Sequence, residues 1–255
     1  MGKILKYSLV NLLRSRVVLA YTVCLFAITT ALFALESDPS KALVSLSQVV
    51  LNVVPLVCLL FTAIQYYNSL EFTELLVVQP LRRRTILLGQ LLAQWVAVSF
   101  AYLVGVVLPL SVFSPGANSV MLSASGVLLG AIGVSLGFLI ALANRDKARG
   151  IGVAILLWLV FVVVYDGLLL LALLLLADYP IEPWVVPLAS LNPIDLARIQ
   201  VMLRIDLAAM LGYTGAVYKQ FFGSLGGLLY TFGLLLVWLV WPAWVALRLF
   251  LKKDF

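Results

Sequence analysis

The chain has no histidine, only two cysteines and little charge: Asp, Glu, Lys and Arg together make up 11% of its 255 residues. Without histidine there is no Ser-His-Asp triad, no HExxH metallopeptidase site, no histidine haem ligation and no histidine proton relay. Cys24 and Cys58 both fall in apolar stretches, lack metal-site spacing and read as small hydrophobes. No Walker A sequence occurs, so this chain does not bind ATP in the P-loop manner. Soluble domains carry about 25% charged residues, and a chain 64% apolar falls outside that class. What remains is an all-α, polytopic membrane protein forming a single transmembrane domain over 1–255.

A charge at mid-bilayer costs about 2.5–3.5 kcal/mol on insertion scales, so charge-free runs locate the spans. The longest run, 85–144, exceeds one helix and is split by the turn-forming cluster Ser114, Pro115, Gly116, Ala117, Asn118, Ser119. Six spans are expected: 17–35, 43–69, 86–113, 120–143, 151–177 and 225–247. With both termini inside, every basic residue except Lys41, Arg198, Arg204 and Lys219 falls on the inner side, while the outer side carries more acids than bases. The excess of +6 therefore reads as positive-inside orientation, and nucleic acid is not an expected partner. A cleaved signal peptide is the competing account of the N-terminus, but the first apolar run is too long for one and no A-x-A site precedes Glu36. Before it, Leu5, Leu9, Leu12 and Leu13 recur at helical spacing opposite Lys3, Lys6, Asn11 and Arg14. Segment 1–16 reads either as an interfacial helix on the membrane lipids or as a plain basic flank.

Gly133-Val134-Ser135-Leu136-Gly137 matches the G-x-S-x-G elbow but lies in an apolar helix of a chain without histidine. Gly126, Gly130, Gly133 and Gly137 form a helical stripe with two GxxxG spacings, which close helix packing explains.

The inner loop at 70–89 reads LEFTELLVVQPLRRRTILLG. Phe72, Leu75, Leu76 and Gln79 are expected on one helical face, Glu71 and Glu74 suit the positive N-terminal end, and Pro80 stops the helix before Arg82 and Arg83. Such a helix either docks into a groove on a soluble partner or rests on the membrane with its arginines fixing topology. The order Glu71, Glu74, Leu75, Leu76, Pro80, Arg83, Gly89 resembles the E..E.LL...P..R signature of ABC-2 type permeases. The resemblance implies that 71–84 is a cytoplasmic coupling segment seated on a separate ABC ATPase. It also implies a type V exporter-like arrangement, a dimer with a second copy of the chain, ATP and Mg held by the partner ATPase, and no cofactor or metal on this chain.

The outer stretch 178–222 begins with Pro180, Pro183 and Pro187. It continues with Asn192, Pro193 and Asp195, an N-cap followed by Pro at the first helical position. A helix is expected over 193–211, stopping at Gly212 and lying along the outer membrane surface. Its wording, LNPIDLARI at 191–199 and LGYTGAVYKQFFG at 211–223, resembles the permease subunits of Nos-type copper-processing ABC systems. That resemblance implies a role in maturing the copper centres of nitrous oxide reductase and a periplasmic β-helical copper-handling partner. It also implies a bacterial or archaeal inner membrane with both termini cytoplasmic. Asn192, Pro193, Asp195, Arg198, Gly212, Tyr213, Thr214 and Gly215 are then the candidates for the outer partner contact or a gate.

Asp166 lies inside the fifth span, and an intramembrane carboxylate is a functional candidate by default. No basic residue lies in another span, so a protonated or water-solvated acid is the expected state. Soft ligands are too few for a copper channel. The family resemblance leaves two mechanisms: export of a sulfur-containing or other small species, or transmission of ATPase motion to the outer partner. The alternatives are a generic ABC-2 exporter of a drug or lipid and an ATP-independent membrane scaffold.

Overall fold

In a computed structural model, residues 2–79, 82–175, 187–204 and 225–252 are described, and the regular structure among them is helical throughout. The helices are α1 (Gly2–Leu13), α2 (Arg16–Leu35), α3 (Pro39–Asn68), α4 (Leu70–Val78), α5 (Arg83–Tyr102), α6 (Leu108–Phe113), α7 (Ala117–Ala143), α8 (Lys147–Leu159), α9 (Tyr165–Leu175), α10 (Pro193–Arg204) and α11 (Leu225–Lys252). A π-helical turn, Leu103–Val107, joins α5 to α6, and another, Val160–Val164, joins α8 to α9. Six of the resulting rods are long and apolar enough to cross a membrane: α2, α3, α5–α6, α7, α8–α9 and α11. Their starts are set locally. Ser15 Oγ caps α2 through the Val18 amide, Asp38 caps α3 with Pro39 in its first turn, and Asp146 caps α8 through the Ala148 and Arg149 amides.

The glycine stripe of α7 lets it approach α3 closely. A Cβ at Gly137 would stand 2.6 Å from the Leu59 carbonyl oxygen and 2.8 Å from Thr62 Cβ, and one at Gly133 would stand 2.9 Å from the Pro55 carbonyl oxygen. At Gly130 the same atom would meet α3 only at ordinary contact distance, and at Gly126 it would meet the Tyr102 ring. The second GxxxG therefore brings backbone against backbone, while the first accommodates an aromatic side chain whose hydroxyl donates to the Leu122 carbonyl.

Segment 1–16 is helical over Gly2–Leu13, but the helix is packed on protein. Leu12 is buried, and Ile4, Leu9 and Leu13 pack against the same core. Gly89 is the reason α1 can approach α5, because a Cβ there would press on Ile4 at 3.0 Å.

The outer helix departs from expectation. Instead of lying along the membrane surface, α10 is inserted among α3, α7 and α11, with Ile194, Leu196, Ala197, Ile199 and Val201 all buried. A helix apolar on nearly every face is a buried helix, and Gln200 of α10 finds its partner inside: Nε2 donates to Thr231 Oγ1 at 2.8 Å. The expected extension over 205–211 lies outside the described residues.

Candidate functional site

Two regions carry the candidate residues. The first is α4, which follows α3 after a single residue, Ser69. Its inward stripe is Thr73 and Leu76, both buried, and its outward face presents Phe72, Leu75 and Val78, which are 52%, 67% and 87% exposed. Expectation placed Leu76 on the outward ridge with Phe72, Leu75 and Gln79; the structure turns it inward. The cause is Thr73, whose hydroxyl donates to the Ser69 carbonyl at 2.9 Å and accepts from Gln90 Nε2 at 2.9 Å. That polar anchor fixes which side of α4 faces α5 and carries Leu76 with it. Glu71, Glu74 and Gln79 are exposed, as is Arg82, the residue preceding α5, while Arg83 is half-buried. The helix ends at Val78 and Gln79 is extended (φ −73°, ψ 157°), the conformation imposed on a residue before proline. Pro80 itself lies outside the described residues.

The end of α3 that leads into α4 is clasped to the turn between α7 and α8. Tyr67 Oη donates to the Asn144 carbonyl at 3.0 Å, and Lys147 Nζ donates to Asn68 Oδ1 at 2.9 Å.

The second region is an ion cluster at membrane depth. Arg198 Nη1 lies 2.5 Å from Asp166 Oδ2 and 3.0 Å from Asp195 Oδ1, and Nη2 reaches Asn52 Oδ1 at 3.4 Å. Asn52 sits near the middle of the 30-residue α3, so the cluster lies at mid-depth along the span. The expected neutral or water-solvated Asp166 is thus corrected: its carboxylate is ion-paired. The cation comes from α10, which no span-by-span search for bases would reach.

Asn192 holds the cluster in place. Its Oδ1 accepts from the Ile194 amide at 3.0 Å as it caps α10, and its Nδ2 donates to Asp195 Oδ2 at 2.9 Å and to the Phe161 carbonyl at 2.6 Å. Phe161 belongs to the π turn before Asp166, where the widened backbone offers that carbonyl sideways. Pro193 opens α10 and is buried. Asn192, Asp195 and Arg198 therefore face neighbouring helices of the same chain. Gly212, Tyr213, Thr214 and Gly215 lie outside the described residues. Sequence inspection missed Asn52 and Trp158, whose Nε1 donates to the Asn52 carbonyl at 3.0 Å. Pro55, whose missing amide frees the Leu51 carbonyl and not that of Asn52, gives no signal for this contact.

Comparison with known proteins agrees with this architecture. The model of the ABC-2 family transporter protein matches residues 73–255. The chain is 30% identical over 220 residues to "Probable ABC transporter permease protein NosY" of Stutzerimonas stutzeri, covering 81% of this chain and 76% of that one. It is also 30% identical over 182 residues to the protein of the same name from Pseudomonas aeruginosa, covering 65% of this chain. In that second case the match spans 64% of the relative's own length, just under two thirds. With six membrane-crossing rods, an outward-facing α4 and matches of this extent, the chain belongs to the ABC-2 transporter family as a multi-pass membrane permease.

Proposed function

We propose that this permease works as a two-fold pair in a bacterial or archaeal inner membrane, termini in the cytoplasm, each copy seated through α4 on a separate ATPase that holds ATP and Mg. The observation that carries this reading is the outward face Phe72–Leu75–Val78, bordered by exposed Glu71 and Glu74 on a helix whose other side is anchored to α5. An apolar ridge of that kind fits a groove on a soluble partner. The pair is supported by the second region: Asp166 and Arg198 keep 30% and 18% of their side-chain surface open on a face little covered by the chain itself. Ionic groups at membrane depth face protein or water rather than lipid, and a second copy supplies such a cover.

The similarity to proteins named NosY, with the LNPIDLARI and LGYTGAVYKQFFG segments, supports assignment to copper-centre maturation of nitrous oxide reductase together with a periplasmic β-helical copper-handling protein. Insertion of α10 into the bundle fills the outer part of each subunit, so any cargo path runs between subunits, and motion of α10 is available to an outer partner.

Co-purification tests the seating. Phe72→Asp and Leu75→Asp each place a charge on the ridge without touching the fold and are expected to lower ATPase recovery at least tenfold while leaving membrane insertion unchanged. Leu76→Asp acts differently, destabilising the subunit itself. Full ATPase recovery with both ridge variants removes α4 as the seat. Maturation of nitrous oxide reductase in cells lacking the native permease tests the copper assignment separately.

A further inference from the structure

A cleft of about 290 Å³ opens beside α1 and α4, at the end of α3 that leads into α4. Four aromatic residues, Tyr7, Tyr66, Phe72 and Phe138, line it together with polar serine, asparagine and glutamine side chains, among them Gln90 and Gln94 of α5. The glutamines are 8% and 3% exposed, and both Oε1 atoms are buried without a hydrogen-bond partner. Amide orientation is normally a matter of assignment, but here the network decides it for Gln90. Thr73 has already committed its one proton to the Ser69 carbonyl, so it must accept from Gln90 Nε2, leaving Oε1 as the open acceptor. Gln94 stands one turn further along the same face.

Leaving two buried acceptors unmade is costly, so the cleft calls for an occupant rich in donors. Among the described residues no Lys or Arg lines it, and aromatic faces attract cations. Together these features favour a positively charged donor over a neutral or anionic one. The cleft lies at the last turn of a membrane-crossing helix, Gln65 to Ser69, where lipid head groups sit. We infer that the cleft binds a primary ammonium group presented by a lipid, with the Gln90 and Gln94 amide oxygens accepting its N–H bonds. The cleft borders the proposed ATPase seat through Phe72, but its test needs neither the ATPase nor the copper assignment.

The test uses the full chain in phosphatidylcholine nanodiscs doped with phosphatidylethanolamine or phosphatidylglycerol, reading retained lipid by native mass spectrometry and thermal stability in parallel. Retention of phosphatidylethanolamine over phosphatidylcholine, whose quaternary ammonium has no N–H, is expected at about tenfold. Gln94→Leu should abolish that preference and the accompanying rise in melting temperature. In phosphatidylcholine alone the same variant should melt no lower than the parent, because it removes an unsatisfied acceptor, and this shows that the variant folds. Equal retention of phosphatidylcholine, or equal retention of phosphatidylglycerol, overturns the ammonium assignment. Displacement by free ethanolamine at concentrations matching the lipid overturns the lipid as its source.

Discussion

Replacing Arg198 with alanine is expected to cost about 3–5 kcal/mol, enough to remove most folded protein, because it leaves two acids together inside the bundle without their cation. Asp166 and Asp195 both rest on the one guanidinium, at 2.5 and 3.0 Å, and among the described residues Asn192 and Asn52 add neutral hydrogen-bonding groups to the cluster. The companion variants give the prediction its shape. Asp166→Asn retains an acceptor for Arg198 and leaves the Asp195 pair intact, so its loss should be much smaller. Asp166→Leu removes the acceptor as well and should fall between the two. Adding Asp166→Asn to Arg198→Ala should recover part of the loss, since one of the stranded charges is gone. The monodisperse fraction and melting temperature in detergent rank the four variants. An Arg198→Ala protein as stable as the parent would mean that the cluster contributes nothing to the fold.

The second large effect belongs to Gly137. Leucine at this position should give no stable fold, and even alanine should cost about 1–3 kcal/mol, the range for overpacking. The obstacle is backbone: the added carbon would meet the Leu59 carbonyl oxygen and Thr62 Cβ of α3, which cannot yield like the end of a flexible side chain. Gly130→Ala, facing only ordinary contacts, should be close to neutral, and Gly152→Ala on α8, with open space around it, should be neutral or slightly stabilising. Expression and thermal unfolding across this series test whether the seam is set at the second GxxxG or along the whole stripe. Equal tolerance at 130 and 137 would show that α7 and α3 can separate without consequence.

The spans were legible because one physical term dominates them. Charge is excluded from the bilayer centre, so the six rods appear as charge-free runs, and the glycine stripe announces a close approach before any partner is known. The destination of α10 was not legible. A helix apolar on most faces satisfies either an interfacial or a buried position, and the choice depends on whether Asn192, Asp195, Arg198 and Gln200 find partners on other helices. For the same reason Asp166 seemed to lack a base: its partner lies 32 positions later in the chain, on a segment outside the spans. The outward face of α4 was half legible. Hydrophobicity marks Phe72 and Leu75 but ranks Leu76 with them, and only the hydrogen bond between Gln90 and Thr73 shows which side faces the bundle.

The single residue between α3 and α4 gives α3 the geometry of a lever arm. Its near end is the clasp at Tyr67 and Asn68, and Asn52, which touches Arg198, rides on the shaft. About 24 Å of helix separates Asn68 from Asn52, so a tilt of about 5° at the α4 end sweeps Asn52 through about 2 Å. The Arg198–Asn52 contact is already long at 3.4 Å, and a sweep of that size exceeds what it can follow. Arg198 would then be held by its two carboxylates alone, so the polar tie from α10 would run to α9 while its apolar packing on α3, α7 and α11 stays in place.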